Sequence, residues 1–372
     1  MSRPKLLFLA TEDWFVRSHF APLVNRAQSD GFDVVVAARR SGADLGVRVV
    51  DMPFARGSVR LQDLWREVGA LKAILAAEKP DIVHVLSLKP ILNCMLAAGR
   101  TPQAYALTGR GYLAVSKKPW TKAILAFLAP AMRRAIAKGN TVLVVENEVD
   151  RRWVEGRAPL PNDRVFLMPG AGVDPSIFKV SPEPEGAVTI GVVTRLVRSK
   201  GVDVLVEAAR ELKRSGLDVV LRIAGAIDPL NPESVTEREL ATWSREPWID
   251  IVGHVEDVPG FWATTHIAAL ASRGGEGLPR SLLEAASSGR AIVTTDVPGC
   301  GDFVRDGVTG YVVPTDDVST TASRLRALVE DSALRRRMGA AGREMILASY
   351  TEAHAAACAA RAWERLMQFR RA

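Results

Sequence analysis

The hydrophobic positions of this chain form short unbroken apolar runs that alternate with longer segments of helical periodicity. In the first half of the chain, the apolar runs are Lys5 to Ala10, Phe32 to Ala38, Val47 to Met52, Ile82 to Leu86, Ala104 to Leu107, Thr141 to Val145 and Val165 to Met168. Unbroken apolar strands are typical of parallel sheets that helices cover on both faces. The pattern therefore predicts an α/β domain with a doubly wound parallel sheet.

A second series of the same kind follows a stretch that is rich in proline and charge. Its predicted strands are Val188 to Val193, Val219 to Ala224, Ile249 to Val252, Ile267 to Ala271, Ile292 to Thr294 and Tyr311 to Val313. The stretch itself contains three prolines, which is typical of a connection between domains. The predicted parts are a first domain over 1–174, a linker over 175–186, a second domain over 187–348, and a C-terminal helix over 349–372 that packs back toward the first domain.

Composition narrows the class of protein. The 372 residues suffice for about two domains, and 48% hydrophobic with 24% charged residues is ordinary for a globular protein. The three cysteines are widely spaced, which predicts neither a disulfide framework nor a metal site and is typical of the cytoplasm. No apolar stretch reaches the length of a membrane span, and the first apolar run is too short for a signal peptide. The net charge of +7 favours anionic partners.

The most informative stretch is Ser272 to Gly289, a glycine-rich turn that leads into a helix predicted to begin at or just after Pro279. The N-terminus of a helix attracts an anion, most naturally a phosphate. Glu276 and Glu284 bracket the turn, and carboxylates beside a phosphate are better suited to accept hydrogen bonds from hydroxyls. The stretch therefore predicts a ligand with phosphate in the middle and hydroxyls at both ends, as in a nucleotide sugar.

Two cations follow the first strand of the second domain. Arg195 and Lys200 stand around a loop that precedes a helix, where two cations can neutralise a diphosphate without a metal. A solvated basic loop is the alternative interpretation of the pair taken alone. No D-x-D motif, which typically binds a metal, follows a predicted strand. We accordingly predict no metal and no other cofactor.

Together these motifs resemble those of glycosyltransferase family 4, whose members have the GT-B fold and retain anomeric configuration. The resemblance rests on the E-x7-E pair, on Arg195 and Lys200 upstream, on V-P-G-C at 297–300 and on D-G-V-T-G-Y-V-V-P at 306–314. The sequence around these motifs is similar to that of the branch of the family that builds lipid-linked bacterial surface glycans. It implies two Rossmann-like domains that face a cleft, and front-face attack in which the leaving phosphate helps to deprotonate the acceptor.

The resemblance also implies roles for particular residues in donor binding. Glu276 would contact hydroxyls of the donor sugar, and the backbone N–H groups of Gly277 and Leu278 would meet the diphosphate. Glu284 would hold the ribose hydroxyls.

Further roles concern the leaving nucleotide. Arg195 and Lys200 would neutralise its β-phosphate, where fixed cations lower the barrier as charge develops. The region Gly253 to Glu256, with Val255 in it, would lie near the base through backbone contacts. For this region a plain strand end is the alternative.

Two residues of the first domain are candidates for the same reaction. His19 lies in S-H-x-x-P, which resembles a signature of the lipid-linked branch. It is predicted to orient or deprotonate an acceptor hydroxyl, or alternatively to cap the first helix. The loop T-G-R-G at 108–111 lacks the histidine that many family members use to contact the donor sugar. Arg110 or a backbone group is expected to substitute for it.

The segment from Lys117 to Lys138 joins an apolar middle to many cations. The cations of the segment are Lys117, Lys118, Lys122, Arg133, Arg134 and Lys138, and Arg110 lies nearby in the sequence. This composition predicts a helix on an anionic membrane surface, with a core helix that has basic ends as the alternative. Nucleic acid is not predicted, because no recognisable binding motif accompanies the charge.

The predicted function is therefore a retaining transfer of a hexose or N-acetylhexosamine. The donor would be a nucleotide diphosphate sugar, most simply UDP-linked, and the acceptor a polyprenyl-diphosphate-linked glycan. The protein would act in the cytoplasm, peripherally on the inner face of the cell membrane. Two alternatives remain open at this point: a sugar-nucleotide epimerase of similar fold, and a non-catalytic sugar-nucleotide-binding partner of a glycan assembly complex.

Overall fold

The computed structural model of this protein describes residues 3–55, 58, 60–116, 118–137, 139–228, 231 and 233–371. The chain divides into two compact units of nearly equal size. The first unit comprises Met1–Ala171 together with Glu352–Ala372, and the second comprises Gly172–Thr351.

The described residues of the first unit form a seven-stranded parallel sheet in the order β3-β2-β1-β4-β5-β6-β7. Its strands are β1 (Lys5–Glu12), β2 (Asp33–Arg39), β3 (Arg48–Asp51), β4 (Ile82–Leu86), β5 (Gln103–Leu107), β6 (Thr141–Val145) and β7 (Val165–Leu167). Its helices are α1 (Asp13–Phe15), a π-helical turn (Val16–Phe20), α2 (Ala21–Ser29), α3 (Leu61–Glu78), α4 (Leu88–Ala97), α5 (Tyr112–Val115), α6 (Pro119–Ala137), α7 (Glu148–Glu155), a 3-10 turn (Asn162–Arg164) and, from the C-terminal end, α14 (Glu352–Arg371).

Helices cover both faces of this sheet. Successive residues of a strand point to opposite faces, and in β1 both sets are buried: Leu6 and Phe8 pack with residues of α2 and α14, whereas Leu7 and Leu9 pack with residues of α3, α4 and α6. A strand that is buried on both sides has no polar positions to alternate with, which explains the unbroken apolar runs of the sequence.

The second unit repeats this architecture with a six-stranded parallel sheet, counted over its described residues, in the order β10-β9-β8-β11-β12-β13. Its strands are β8 (Val188–Val193), β9 (Val219–Ala224), β10 (Ile249–Gly253), β11 (Ile267–Leu270), β12 (Ala291–Thr295) and β13 (Gly310–Val313). Its helices are a 3-10 turn (Arg198–Lys200), α8 (Val202–Arg214), α9 (Glu237–Trp243), α10 (Val258–Ala263), α11 (Arg280–Ser287), α12 (Val318–Glu330) and α13 (Ser332–Ser349). The prediction of two doubly wound α/β domains is confirmed.

The stretch predicted as a linker, 175–186, belongs to the second unit. Arginines of α13 bind it: the guanidinium of Arg343 donates to the carbonyl oxygen of Phe178 at 2.7 Å, and that of Arg335 pairs with both carboxylate oxygens of Glu183 at 3.0 and 2.9 Å. The chain therefore enters the second unit before the proline-rich stretch and not after it. Helical periodicity shows which face of α13 is apolar but not which backbone carbonyls its arginines reach.

The C-terminal helix α14 lies in the first unit. Its Trp363 is fully buried, and the indole Nε1–H donates to Nδ1 of His84 in β4 at 2.9 Å. Because an indole nitrogen only donates, Nδ1 of His84 must accept, which requires the neutral ring. Burial lowers the pKa of His84 to about 3.

This histidine should make folding stability depend on pH. The pKa of His84 is 6.5 in the unfolded chain and about 3 in the folded chain. The free energy of unfolding should therefore fall as the pH drops between these two values, by about 1.4 kcal/mol per pH unit. His84→Gln keeps an acceptor for Trp363 but cannot titrate. Between pH 6.5 and 4.5, urea unfolding should show a decline about 2–3 kcal/mol smaller for this variant than for the wild type. An equal decline in both proteins would show that His84 is not the titrating group.

Candidate functional site

The second unit brings Lys200 and Glu276 into contact, as their predicted shared site requires. They follow β8 and β11, which are adjacent parallel strands that pair Ile190 with Ile267. Because the carboxyl ends of adjacent parallel strands meet at one edge of the sheet, the loops that follow them are neighbours. Lys200 Nζ lies 2.6 Å from Glu276 Oε1, and both side chains are largely buried.

A glycine fixes the close approach of these two loops. Gly201 has φ +64°, and a Cβ atom at this position would lie 1.9 Å from the carbonyl oxygen of Ala271, the residue just after β11. Only glycine allows the turn after Lys200 to pack directly on the end of β11. Lys200 must therefore be followed by a glycine, Gly201, for its ammonium group to lie beside Glu276.

Ser272 contacts both loops, and sequence reasoning did not single it out. Its buried hydroxyl lies 3.0 Å from Glu276 Oε1 and 3.3 Å from the carbonyl oxygen of Ser199. Thr295 at the end of β12 donates in turn to the carbonyl oxygen of Ser272 at 2.5 Å. The hydroxyl of Ser272 therefore helps to orient the carboxylate of Glu276, and Thr295 holds the backbone of Ser272 in place. The only sequence signal for this contact is a serine four residues before the glutamate.

The V-P-G-C motif packs under the turn that carries Glu276. Gly299 has φ +80°, and a Cβ atom there would lie 1.7 Å from the carbonyl oxygen of Gly277 and 3.5 Å from Cβ of Glu276. Burial, with a further contribution from the charge of Glu276, raises the pKa of Cys300 to about 12. The thiol is thus protonated and is not a nucleophile near neutral pH.

Arg273 holds the base of the same turn and was also missed from the sequence. Its guanidinium makes a bidentate pair with Asp203 of α8 at 2.9 and 2.8 Å, and its Nε lies 2.6 Å from Asp316. These carboxylates raise the pKa of Arg273, so the side chain stays charged and bound. It connects the glycine-rich turn to α8 and to the loop after β13.

Arg195 is placed differently from Lys200. Its side chain is 55% exposed, and Nη1 lies 3.4 Å from Asp228 Oδ2. The side chain of Asp228 is 11% exposed, so only the arginine of this pair lies largely in water. The predicted contact of Arg195 with the β-phosphate stays a prediction.

Glu284 lies on α11, which begins at Arg280 with Pro279 as the N-cap residue. This confirms the predicted start of the helix. The carboxylate is nearly fully buried, burial raises its pKa, and the adjacent Arg280, whose Nε lies 2.8 Å away, opposes that rise. The i,i+4 spacing of Arg280 and Glu284 on a predicted helix is a local signal from which this pair could have been predicted. The contact of Glu284 with ribose hydroxyls stays a prediction.

The remaining donor-side candidates are Leu278, Val255 and Gly277. Leu278 and Val255 are half-buried and pack against the hydrophobic cluster that lines one face of the second sheet. Gly277 is buried beside Gly299. The predicted backbone contacts of all three with a diphosphate or a base stay predictions.

The two candidates of the first unit have partners of their own. His19 lies in the π-helical turn, with Nδ1 2.6 Å from the hydroxyl of Ser18 and its ring centroid 4.8 Å from that of Phe15. The N-cap residues of α1 and α2 are Glu12 and Phe20, and neither makes a capping hydrogen bond with its side chain. Both the capping alternative and the role of His19 toward an acceptor stay predictions.

Arg110 pairs with a buried carboxylate. Its Nε lies 2.8 Å from Asp150 Oδ1, and its guanidinium lies over the ring of Trp153 at 5.5 Å. Both partners belong to α7, so Arg110 connects the loop after β5 to that helix. A contact with a donor sugar would be made in addition to this structural one.

Helix α6 presents an apolar stripe to solvent. Trp120, Ala123, Phe127 and Pro130 are exposed and repeat at intervals of three and four residues, so they share one face. Lys118, Lys122 and Arg134 are exposed around this stripe, while Lys117 and Lys138 lie outside the described residues. Within the described part of the chain, no helix has the combination of length and hydrophobicity that crossing a membrane requires.

The described residues include no group of three His, Cys, Asp or Glu side chains arranged to hold a metal ion. Metal independence stays a prediction.

Solved structures of similar fold identify the architecture. Sucrose-phosphate synthase from Thermosynechococcus elongatus superposes with a TM-score of 0.80 at 16% identity, over 98% of this chain and 100% of that one. HepE of Anabaena, solved in complex with UDP and glucose, superposes with a TM-score of 0.77 at 17% identity, over 97% and 99%. At these identities the likeness concerns the fold alone, and it identifies the architecture as GT-B.

Sequence comparisons then identify the family. Residues 16–176 match the model of Glycosyltransferase Family 4, and residues 173–345 match that of Glycosyl transferases group 1. Alpha-maltose-1-phosphate synthase of Mycobacterium tuberculosis is 31% identical over 314 residues, which is 77% of this chain and 74% of that protein. The chain belongs to glycosyltransferase family 4. The resemblance inferred from the motifs is confirmed.

Other relatives match over shorter regions. CapM of Staphylococcus aureus, a capsular polysaccharide biosynthesis glycosyltransferase, is 27% identical over 157 residues, or 42% of this chain and 40% of that protein. Alpha-D-kanosaminyltransferase of Streptomyces kanamyceticus is 32% identical over 235 residues, or 59% of each. The chain thus spans about half the length of these two curated relatives.

Proposed function

We propose that this glycosyltransferase moves a hexosyl or N-acetylhexosaminyl group from a UDP-sugar to a hydroxyl of a lipid-linked glycan, with retention of configuration. The pairing of Lys200 with Glu276 at 2.6 Å carries the proposal. A cation suited to a diphosphate and a carboxylate suited to sugar hydroxyls lie side by side at the carboxyl edge of one sheet, where ligands of such sheets bind. The relative CapM, by its name, acts in capsular polysaccharide biosynthesis, which supports a role in surface glycans.

The proposed chemistry needs no group beyond those of the chain and its substrates. The bond between C1 of the donor sugar and the β-phosphate oxygen breaks, and a bond from C1 to the acceptor oxygen forms on the same face. The acceptor proton passes to the leaving phosphate. Lys200 and Arg195 stabilise the charge that develops on this phosphate, and Glu276 accepts a hydrogen bond from a hydroxyl of the donor sugar.

The choice of UDP has support from one structural neighbour. HepE of Anabaena was solved with UDP and glucose, and its fold covers nearly the whole of this chain. Glu284 supplies a buried acceptor for the two ribose hydroxyls that UDP and other nucleotides share. These features favour a nucleoside diphosphate sugar, and the test below compares donors.

The experiment combines the purified protein with UDP-N-acetylglucosamine, UDP-glucose or their GDP counterparts, and with a short polyprenyl-diphosphate-linked sugar. Mass spectrometry should detect an acceptor that is longer by one sugar, and proton NMR should show an anomeric configuration equal to that of the donor. Interconversion of free sugar nucleotides would instead favour an epimerase. Nucleotide binding without turnover with any acceptor would favour a non-catalytic partner, and an inverted product would exclude retention.

The lipid-linked acceptor would bring the protein to a membrane surface, and α6 is the proposed contact. Aromatic side chains flanked by cations bind anionic bilayers through apolar burial and charge attraction. The stripe of α6 has both, with Phe127 66% exposed and Trp120 38% exposed. The opposite face of α6 packs against the sheet through Leu128, Met132 and Ile136.

We expect Phe127→Ser combined with Trp120→Ser to reduce binding to vesicles of phosphatidylcholine with 30% phosphatidylglycerol by about tenfold or more, since each buried aromatic side chain contributes about 1.5–3 kcal/mol. Cosedimentation measures the bound fraction. Leu347→Ser is the matched control, because Leu347 is 50% exposed on α13 of the second unit. Equal binding by the double variant and the wild type would contradict the assignment of α6.

A further inference from the structure

We infer that Glu276 lowers the affinity of the protein for the nucleoside diphosphate, through its contact with Lys200, and so favours release of that product. The inference rests on the proposed function, since it takes the diphosphate as the ligand of Lys200. It adds a second role for Glu276 besides the predicted contact with the donor sugar.

The geometry makes Glu276 a competitor for the ammonium group. One carboxylate oxygen, Oε1, lies 2.6 Å from Lys200 Nζ and 3.0 Å from the hydroxyl of Ser272. The same hydroxyl lies 3.3 Å from the carbonyl oxygen of Ser199 in the lysine loop and accepts from the backbone N–H of Gly274 at 3.2 Å. The carboxylate is therefore held on the side that faces Lys200, and a phosphate must share the ammonium with it.

Burial makes this competition strong. The side chains of Lys200 and Glu276 are each only 14% exposed, so water and salt screen their attraction less than that of a surface pair. The charge of Glu276 also repels a phosphate directly. If both effects act, neutralising Glu276 should tighten diphosphate binding, although it removes a polar group from the site.

The competition between Glu276 and the diphosphate for Lys200 should change during the reaction cycle. With a donor bound, a sugar hydroxyl can donate to Glu276 and leave Lys200 to the phosphate. After transfer the sugar has left with the acceptor, and Glu276 again attracts Lys200 in competition with the diphosphate. The carboxylate would thus discriminate between the donor and the product nucleotide, because only the donor carries a sugar hydroxyl that can donate to Glu276.

The test is a double-mutant cycle on UDP binding, measured by isothermal titration calorimetry at fixed salt. Glu276→Gln preserves shape and keeps an acceptor for Ser272. It should lower the Kd of UDP about tenfold and also lower kcat for transfer. In a Lys200→Met background the same substitution should change the Kd by less than about threefold, because little remains for Glu276 to compete for. Glu330→Gln, an exposed position on α12, should leave the Kd within about twofold.

Each other outcome overturns the inference in a different way. An unchanged or weaker affinity of Glu276→Gln shows that Glu276 does not oppose the diphosphate. A tenfold gain that persists with Lys200→Met shows direct repulsion without competition. If the wild-type protein binds neither UDP nor GDP, the proposed function fails and the inference fails with it. Simple misfolding cannot imitate the expected result, since a misfolded variant would not gain affinity.

Discussion

Replacing Lys200 with methionine should lower kcat/KM for glycosyl transfer by about 10²- to 10³-fold, the usual effect of removing one preorganised electrostatic group from a transition state. The ammonium lies next to Glu276 in a largely buried position, where its charge acts in a low dielectric. UDP affinity should fall as well, because the product diphosphate carries the charge that Lys200 stabilises. Initial rates and calorimetry measure the two effects separately.

Lys213→Met is the control for this prediction. Lys213 lies in the last turn of α8, and its Nζ is 3.5 Å from Asp218 in an exposed pair. Removing it deletes the same charge from the same unit and should alter neither quantity by more than about twofold. If UDP bound Lys200→Met as tightly as the wild type, the assignment of the diphosphate to Lys200 would be wrong.

A single methyl group at Gly299 should have a comparable effect on transfer. In Gly299→Ala the new Cβ would lie 1.7 Å from the carbonyl oxygen of Gly277, a distance that only a backbone shift can relieve. The turn that carries Glu276 must then move by about 1 Å, and misplacement of this size costs about 10²-fold in rate. The free energy of unfolding should also fall by about 2–4 kcal/mol.

Gly307→Ala separates steric contact from backbone strain. Gly307 has φ +72°, close to the +80° of Gly299, but no atom lies within 4 Å of the position of its Cβ. This variant should lose only about 1–2 kcal/mol, the usual cost of a left-handed conformation, and keep full activity. Equal activity losses in the two variants would show that the V-P-G-C motif does not act through Gly277. Circular dichroism with urea unfolding and initial rates measure both outcomes.

Strand and helix positions followed closely from the sequence, because the signal for them is local. β4, β6, β8 and β9 occupy the predicted ranges to the residue. Continuous apolar runs mark where each strand enters and leaves a sheet that is buried on both faces. The short helices α9 and α10 were not delimited, since seven and six residues are too few for a clear period.

The connection between the two units shows the limit of local composition. Prolines and charges are typical of linkers, yet these residues bind α13 through Arg335 and Arg343, which come more than 150 residues later in the chain. A composition rule considers only neighbours in sequence. It cannot detect that Glu183 has a cationic partner so far away.

The sequence by itself determined the fold class, the family, and the order of Arg195, Lys200, Glu276 and Glu284 along the chain, because apolar runs and motif spacings are properties of the linear polymer. Only the tertiary structure decided which of these side chains meet. Lys200 contacts Glu276 because β8 and β11 are neighbours in the sheet, although 76 residues separate the two side chains. Arg195 pairs with Asp228, which lies 33 residues later in the chain, whereas Glu284 pairs with Arg280 one helical turn away, a contact that the spacing along the helix already allows. Strand order depends on packing of the whole unit, and it fixes the chemistry at the edge of the sheet.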